Sequence, residues 1–545
     1  MITIENLVFT FGQRVLFKDV NLKFLPGGCY GVIGANGSGK STFLKVLAGD
    51  LDHDKGSINF AKDQRISVLK QDHFAFDAYT ALETVIMGNQ ALYAIMKERD
   101  AIYAKEEMSD EDGIRAGELE DTFAQMGGWE AESDAHTLLN GLGLAEQDHE
   151  KMMGDLDDSR KVRALLAQAL FGDPDILILD EPTNGLDLES ISWLEEFLIK
   201  FENIVIVVSH DRHFLNKVCT HIVDIDFGEM KLFTGNYDFW YQTNQMLQKQ
   251  RKDQAKKTEE KAKELKDFIA RFSSNASKSK QATSRKKVLE KLDLSSLTPS
   301  SRRFPYVSFR PERPCGDLVL RIENMQLNQD EITINNLNLI VENTDKIAFI
   351  GSMHTTKTAF FEAIMQERPI DGGSIEWGQT IKASHFPKDN TRFFEDSLSM
   401  TDWLRQYSPE NKDETFIRSF LGRMLFSGEE SLKDVRVLSG GEKVRCMLSR
   451  MMLDAGNVLI LDEPTSHLDL ESITALQQGL EEFTGVILFN SHDHEFVQAI
   501  ANRIIEFTPN GIIDRRMSFD DYLADANIKQ LRKELWHDQQ NHDLL

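Results

Sequence analysis

One pattern occurs twice in the chain. ILILDEPTNGLD ends at Asp187 and VLILDEPTSHLD ends at Asp469. In both copies an isolated histidine stands 30 residues beyond the motif's first aspartate, Asp180 to His210 and Asp462 to His492. LDDSRKVR from Leu156 and LSGGEKVR from Leu438 each begin 24 residues before that aspartate. The copies also open alike, with IENLVFTFGQRVLFKDVNL from Ile4 and IENMQLNQDEITINNLNL from Ile322. Spacing this regular requires two units of one fold. A chain of 545 residues is long enough to give each unit its own core.

The copies differ in one length. Gln71 to Leu156 is 85 residues, and Phe386 to Leu438 is 52, so copy one carries an insertion within 88–135. Its sequence, YAIMKERDAIYAKEEMSDEDGIRAGELEDTFAQM, is acidic and helix-forming. It predicts a projecting helical hairpin with its turn near Ser109–Gly113.

CYGVIGANGSGKSTFLKVL in copy one reads as a strand, a glycine-rich loop and a helix start. Gly34, Gly37 and Gly39 let backbone N–H groups cup phosphate oxygens, with Asn36 and Ser38 between them. Lys40 reaches the outer phosphates, Ser41 offers a hydroxyl to Mg²⁺, and Thr42 follows in the helix. Downstream, an apolar strand ends in Asp180, placed to hold the Mg²⁺ shell, and Glu181, placed to polarise the water that attacks the γ-phosphate.

LSGGE, LDEPT, a following LD and the histidine after VIVVS together resemble the ATP-binding cassette ATPases. Two cassettes on one chain, LSGGEKVR and a charged linker resemble the ABC-F family of ribosome-associated ATPases over essentially the whole chain. The linker stretch RFSSNASKSKQATSR and the modest insertion most resemble its bacterial YbiT-type members. The resemblance implies an α/β fold: two P-loop NTPase ATP-binding cassette domains joined by a long α-helical hairpin linker. The expected units are a first cassette at 1–240, a basic linker at 241–303, a degenerate second cassette at 304–525 and a short C-terminal helix at 526–545.

In such ATPases the cassettes close head to tail, so each ATP lies between one phosphate loop and the other cassette's signature. Site one then combines the first phosphate loop with Ser439, Gly440 and Gly441. Gln71 would sense Mg²⁺ and the attacking water, and His210 would contact the γ-phosphate. Phe11 or, second to it, Phe9 would stack on adenine.

Site two is eroded. GSMHTTKT, Gly351 to Thr358, puts His354 and Thr356 where copy one has Gly37 and Gly39, although Lys357 and Thr358 remain. Its partner signature reads Leu156-Asp157-Asp158-Ser159-Arg160, which sets two carboxylates against a phosphate. The glutamine position of copy two falls on Phe386, before Pro387, and no aromatic occurs in 322–339. All four losses belong to one composite site. Asp462, Glu463 and His492 persist in copy two, either for residual nucleotide or Mg²⁺ binding or because Leu468 and Asp469 abut site one; the second reading is preferred.

Net charge is −26, yet residues 249–303 hold 17 Lys+Arg against 7 Asp+Glu, a net of +10 that leaves −36 for the rest. YQTNQMLQKQRKDQAKKTEEKAKELKDFIARF reads as one long helix, SSNASKSK as a break and QATSRKKVLEKL as a second helix. A basic hairpin on an acidic body points to an RNA backbone. Lys278, Lys280, Arg285, Lys286 and Lys287 are its expected contacts. The resemblance implies ribosomal RNA and tRNA as partners, near the tRNA exit site.

No apolar run approaches membrane-spanning length, and MITIENLVFTFGQ lacks a signal-peptide pattern. Cys29, Cys219, Cys315 and Cys446 form no C-x-x-C pair, so neither zinc nor a disulfide framework is expected. A cytoplasmic monomer that closes on itself around ATP and Mg²⁺, and is released by hydrolysis at one competent site, is the leading expectation. The runner-up is the ATPase subunit of an ABC transporter. A DNA-repair cassette ATPase would call for zinc cysteines or very long coiled coils, and a non-hydrolysing scaffold would not keep Glu181.

Overall fold

The computed structural model describes the chain except residues 13, 36, 63, 71, 73, 106–107, 273–283, 285, 288–301, 330–331, 352–353, 409–412 and 538–545. The repeat in the sequence is a repeat in space. Each copy holds a six-stranded sheet with the same strand order. In copy one this runs Ile66–Val68, Ile176–Asp180, Ile204–Val208, Cys29–Gly34, His221–Asp226 and Glu229–Thr234. Copy two matches it with Ala383–Phe386, Val458–Asp462, Val486–Asn490, Lys346–Ile350, Arg503–Thr508 and Gly511–Arg515. The last pair is antiparallel and the others are parallel.

Parallel strands buried on both faces read as continuous apolar runs, which explains ILIL and IVIVV. Their period of two divides the core. Ile176, Ile178, Ile204 and Ile206 face one cluster with Phe43 and Leu44, and Leu177, Leu179, Val205 and Val207 face another with the helical layer. Each copy adds a three-stranded antiparallel sheet, Arg14–Phe24, Ile2–Phe11 and Lys55–Phe60 in the first, Ile332–Glu342, Leu318–Gln329 and Gly372–Trp377 in the second.

The insertion forms two helices, Gln90–Tyr103 and Asp110–Gln125, packed through Ile102, Ala116 and Leu119. Arg115 makes a two-pronged bond to Glu98 at 2.7 and 3.0 Å. The turn lies earlier than Ser109–Gly113. Ser109 is the N-cap and exchanges hydrogen bonds with Asp112, so Gly113 is already helical.

The linker helix Tyr237–Phe272 begins four residues before the expected Tyr241, because Tyr237 and Trp240 are buried and root it in the first cassette. Lys286 and Lys287 are helical and exposed, whereas Lys278, Lys280 and Arg285 lie outside the described residues. The chain returns at Arg302, whose guanidinium is buried over the Trp240 ring, 4.6 Å from its centroid. Arg302 pairs with Asp224 of the first cassette at 2.5 Å and with Glu471 of the second. Near this junction His213 and His494 stack with centroids 4.0 Å apart, and Arg212 bonds Gln477. No helix among the described residues is long and apolar enough to cross a membrane.

Candidate functional site

Strand Cys29–Gly34 must turn into helix Lys40–Ala48 within residues 35–39. Gly37 (φ 75°) and Gly39 (φ 99°) take left-handed backbone that strains any side chain. A Cβ at Gly37 would meet nothing within 4 Å, so conformation and not crowding demands glycine there. The loop curls so that Lys40 Nζ donates to Gly34 O at 2.8 Å. Burial holds the Lys40 amine below its usual range, while Glu181 and Asp469 pull it back up. Ser41 is exposed at the helix start, Thr42 is half-buried, and the Ser38 hydroxyl is buried without a partner among the described residues. Asn36 and Gln71 lie outside the described residues.

Asp180 ends its strand, and Glu181 follows at φ 52°, a left-handed geometry that costs a non-glycine residue about 1 kcal/mol or more. Its N–H donates to Val208 O at 2.8 Å. This bend aims Glu181 at His210, whose N–H donates to Oε2 at 3.2 Å and whose Nε2 lies 3.3 Å from Oε1. Burial raises the Glu181 carboxyl to about 8, and burial next to Lys40 lowers the His210 imidazole to about 3. A carboxylate poised near neutrality beside a neutral imidazole suits proton acceptance from water. Ser41 and Asp180 are hard oxygen donors, so the residues present fit Mg²⁺ with a nucleotide polyphosphate.

The second cassette comes close to this loop through Asp469 and Glu471. Asp469, the N-cap of helix Leu470–Glu481, is close enough that its charge acts on both Lys40 and His210. Ser439, Gly440 and Gly441 open helix Gly440–Asp454 at its accessible end. The Ser439 hydroxyl is held by Glu442 in a capping box. Of the two candidate aromatics, Phe11 is 73% exposed, whereas Phe9 is 8% exposed and packs on Phe17 at 5.5 Å. Of these two, Phe11 is the one whose ring is free to stack.

The counterpart site is built differently. Helix His354–Ile364 starts at the residue equivalent to Gly37, so helix replaces the last stretch of the loop and Thr356 escapes the left-handed strain of Gly39. Gly351 requires glycine on two counts, since it takes φ 114° and a Cβ there would lie 2.5 Å from Phe507 O. Lys357 is fully buried, and the Thr358 hydroxyl donates to Asp462 Oδ2 at 2.7 Å. Glu463 repeats the bend at φ 51°, with His492 Nε2 2.9 Å from Oε1. In the opposing signature, Asp157 is the N-cap of helix Asp158–Leu170, accepting from Arg160 N and pairing with the Arg160 guanidinium at 3.3 Å. One of the two carboxylates is therefore tied to its own helix.

The glutamine position of copy two is not Phe386. Ile66 pairs with Ile176 and Ala383 with Val458, which superimposes Phe386 on Leu69 and Lys388 on Gln71. Phe386 is simply core, and a cation stands where copy one has an amide. Lys388, Asn490 and Arg302 were not singled out by sequence. The first two look like loop and strand residues until the ladders are matched, and Arg302 looks like linker charge.

A model described as ABC transporter matches residues 17–184 and 334–466, and a second of the same description matches 223–309. The ABC transporter ATP-binding protein YkpA of Bacillus subtilis (strain 168) is 58% identical over 98% of this chain and 100% of its own. The probable ATP-binding protein YbiT of Escherichia coli O157:H7 is 42% identical over 97% and 100%. ABC transporter F family member 2 of Arabidopsis thaliana is 29% identical over 98% and 80%. The archaeal ribosome recycling factor aABCE1, solved with ribosomal stalk protein aP1, shares the fold with TM-score 0.60 at 16% identity, covering 96% of this chain and 92% of that one.

Proposed function

The chain belongs to the ABC transporter family of ATP-binding proteins, among its tandem-cassette F-type members, and from that premise we propose that it hydrolyses ATP at one composite site to control docking on the ribosome. The observation that carries the single-site reading is the contrast between the two phosphate loops, with left-handed Gly37 and Gly39 in the first and helix His354–Ile364 over the same stretch in the second. The charge of Asp469, which acts on both Lys40 and His210, supports a site shared with the second cassette.

Phe11 stacks on adenine, and the amides of 34–39 with Lys40 hold the phosphates. Ser41, Asp180 and Gln71 hold Mg²⁺, which neutralises charge on the phosphates when bound. Glu181 accepts the proton of the attacking water, and His210 orients it. Closure brings Ser439, Gly440 and Gly441 onto the γ-phosphate; loss of that group releases them, a two-state element biased by nucleotide. Gly351, Lys357, Thr358, Asp462, Glu463 and His492 form a second half-site without turnover.

The linker supports the ribosomal reading. Its helix of 36 residues spans about 54 Å at 1.5 Å per residue and carries positive charge on an otherwise acidic protein. Lys278, Lys280, Arg285, Lys286 and Lys287 contact rRNA or tRNA near the exit site. The protein acts in the cytoplasm as a monomer. In sedimentation with ribosomes and ATP, the Glu181→Gln protein is expected to pellet more than the parent. Equal, salt-independent absence from the ribosomal pellet, with co-purification of a membrane protein, would favour a transport subunit instead.

A further inference from the structure

We propose that His467 is a positioning residue for the first composite site: its imidazole lies against Gly440 and fixes the end of the signature helix that closes on the γ-phosphate. This deepens the single-site reading and rests on it.

The turn that follows the DEPT motif has the same backbone in both cassettes. Asn184 N donates to Glu181 O and Leu186 N to Thr183 O in the first, and Ser466 N to Glu463 O and Leu468 N to Thr465 O in the second, all at 3.2–3.3 Å. One position of the turn is left-handed in both, at φ 76° in Gly185 and φ 65° in His467. Glycine takes that conformation freely, whereas a side chain there is strained. The first cassette avoids the strain and the second accepts it, so the backbone does not account for a histidine. His467 is also exposed, so burial does not account for it either.

Its contact does. Gly440 opens helix Gly440–Asp454, a place where backbone conformation makes no demand for glycine. Crowding makes that demand. A Cβ at Gly440 would lie 3.2 Å from His467 Cγ and 3.3 Å from His467 Cβ, closer than ordinary van der Waals contact. Those atoms are the root of the side chain, not an end that can swing aside. In the first cassette the same two positions carry Asp158 and Gly185, so the larger and smaller partners have exchanged places. There the Ser159 hydroxyl ties the signature helix to the turn instead, donating to Gly185 O at 3.2 Å. The base under His467 is firm, because Leu468 is buried and Asp469 caps helix Leu470–Glu481. A ring planted there holds the first amides of the signature helix in a set place before a phosphate arrives.

The test uses the full-length protein with His467→Gly, which removes the ring and relieves the strain. In steady-state ATP turnover this should lower kcat by about tenfold and leave the KM for ATP within about twofold, because the phosphate loop is untouched. The melting temperature should stay level or rise. Should the added glycine loosen the chain, His467→Asn, which tolerates the left-handed turn, should show the lower kcat at the parent melting temperature. An unchanged kcat, or a kcat loss that tracks a lower melting temperature in both variants, overturns the proposal. Made on Glu463→Gln, the same substitution should give the same loss. If Glu463→Gln by itself abolishes turnover, the single-site reading fails, and the comparison with the parent still decides the role of His467. Independently of hydrolysis, Glu181→Gln protein loaded with a fluorescent ATP should release it about tenfold faster on adding His467→Gly, whereas a fluorescent ADP should leave at an unchanged rate. ATP release that does not change, or that speeds up equally for ADP, overturns it.

Discussion

The two nucleotide half-sites share strand order, the left-handed glutamate and the histidine that faces it, yet differ wherever a ligand would complete them. In the first, Gly37 and Gly39 hold an open loop, and an apolar valine stands beside Asp180 on the neighbouring strand. In the second, helix His354–Ile364 replaces that stretch, and Thr358 and Asn490 each donate to Asp462. Buried polar atoms need partners. In the second half-site Thr358 and Asn490 give Asp462 such partners. The second half-site thus departs from the first by gaining a donor, Asn490 in place of Val208, as well as by losing glycines.

The sharpest way to break the comparison is to remove matched glutamates. Glu181→Gln, or Lys40→Ala, should cut steady-state ATP turnover by about a thousandfold, the scale of a lost general base. Glu463→Gln should stay within about twofold. Comparable losses in a phosphate-release assay would restore symmetry between the sites. Next in size is the joint between the halves. Arg302→Ala strands two buried carboxylates, Asp224 and Glu471, and should cost about 3 kcal/mol in thermal or urea unfolding.

Phe11→Ala should raise the KM for ATP by about tenfold through lost stacking, with little change in stability because the ring is exposed. Phe9→Ala should do the reverse, since that ring is core. The smallest effect concerns pH. Glu181 must be ionised to accept a proton, and burial raises it to about 8. Its charged fraction, and so kcat/KM, should climb about fivefold from pH 7 to pH 8 and flatten above. A profile already flat from pH 5 would place the base elsewhere.

Much of this was legible in the sequence because motif spacing carries topology. Two aspartates at strand ends and two histidines thirty residues on require the same strands to be adjacent in both copies, and they are. The first phosphate loop was legible because left-handed turns demand glycine. Register was harder. Nothing in IKASHFPKD marks which residue lies opposite Val458, and only the ladder moves the glutamine position from Phe386 to Lys388. Gly113 suggested a turn, but the Ser109–Asp112 capping box outweighs one exposed glycine. The salt bridges of Arg302 join residues 78 and 169 positions away, beyond any local pattern.

That arginine has a mechanical consequence. Trp240 lies at the outgoing root of the linker helix and Arg302 at the returning end, so both ends of the linker are stapled at one point. The same point grips one carboxylate from each cassette. A rigid rod fixed there is a lever with a short arm at the cassettes and a long arm outside. Tilting its root by roughly 10° swings the far end of a 54 Å helix through about 9 Å, so sub-ångström adjustments at the fulcrum are geared into displacements the size of a nucleotide.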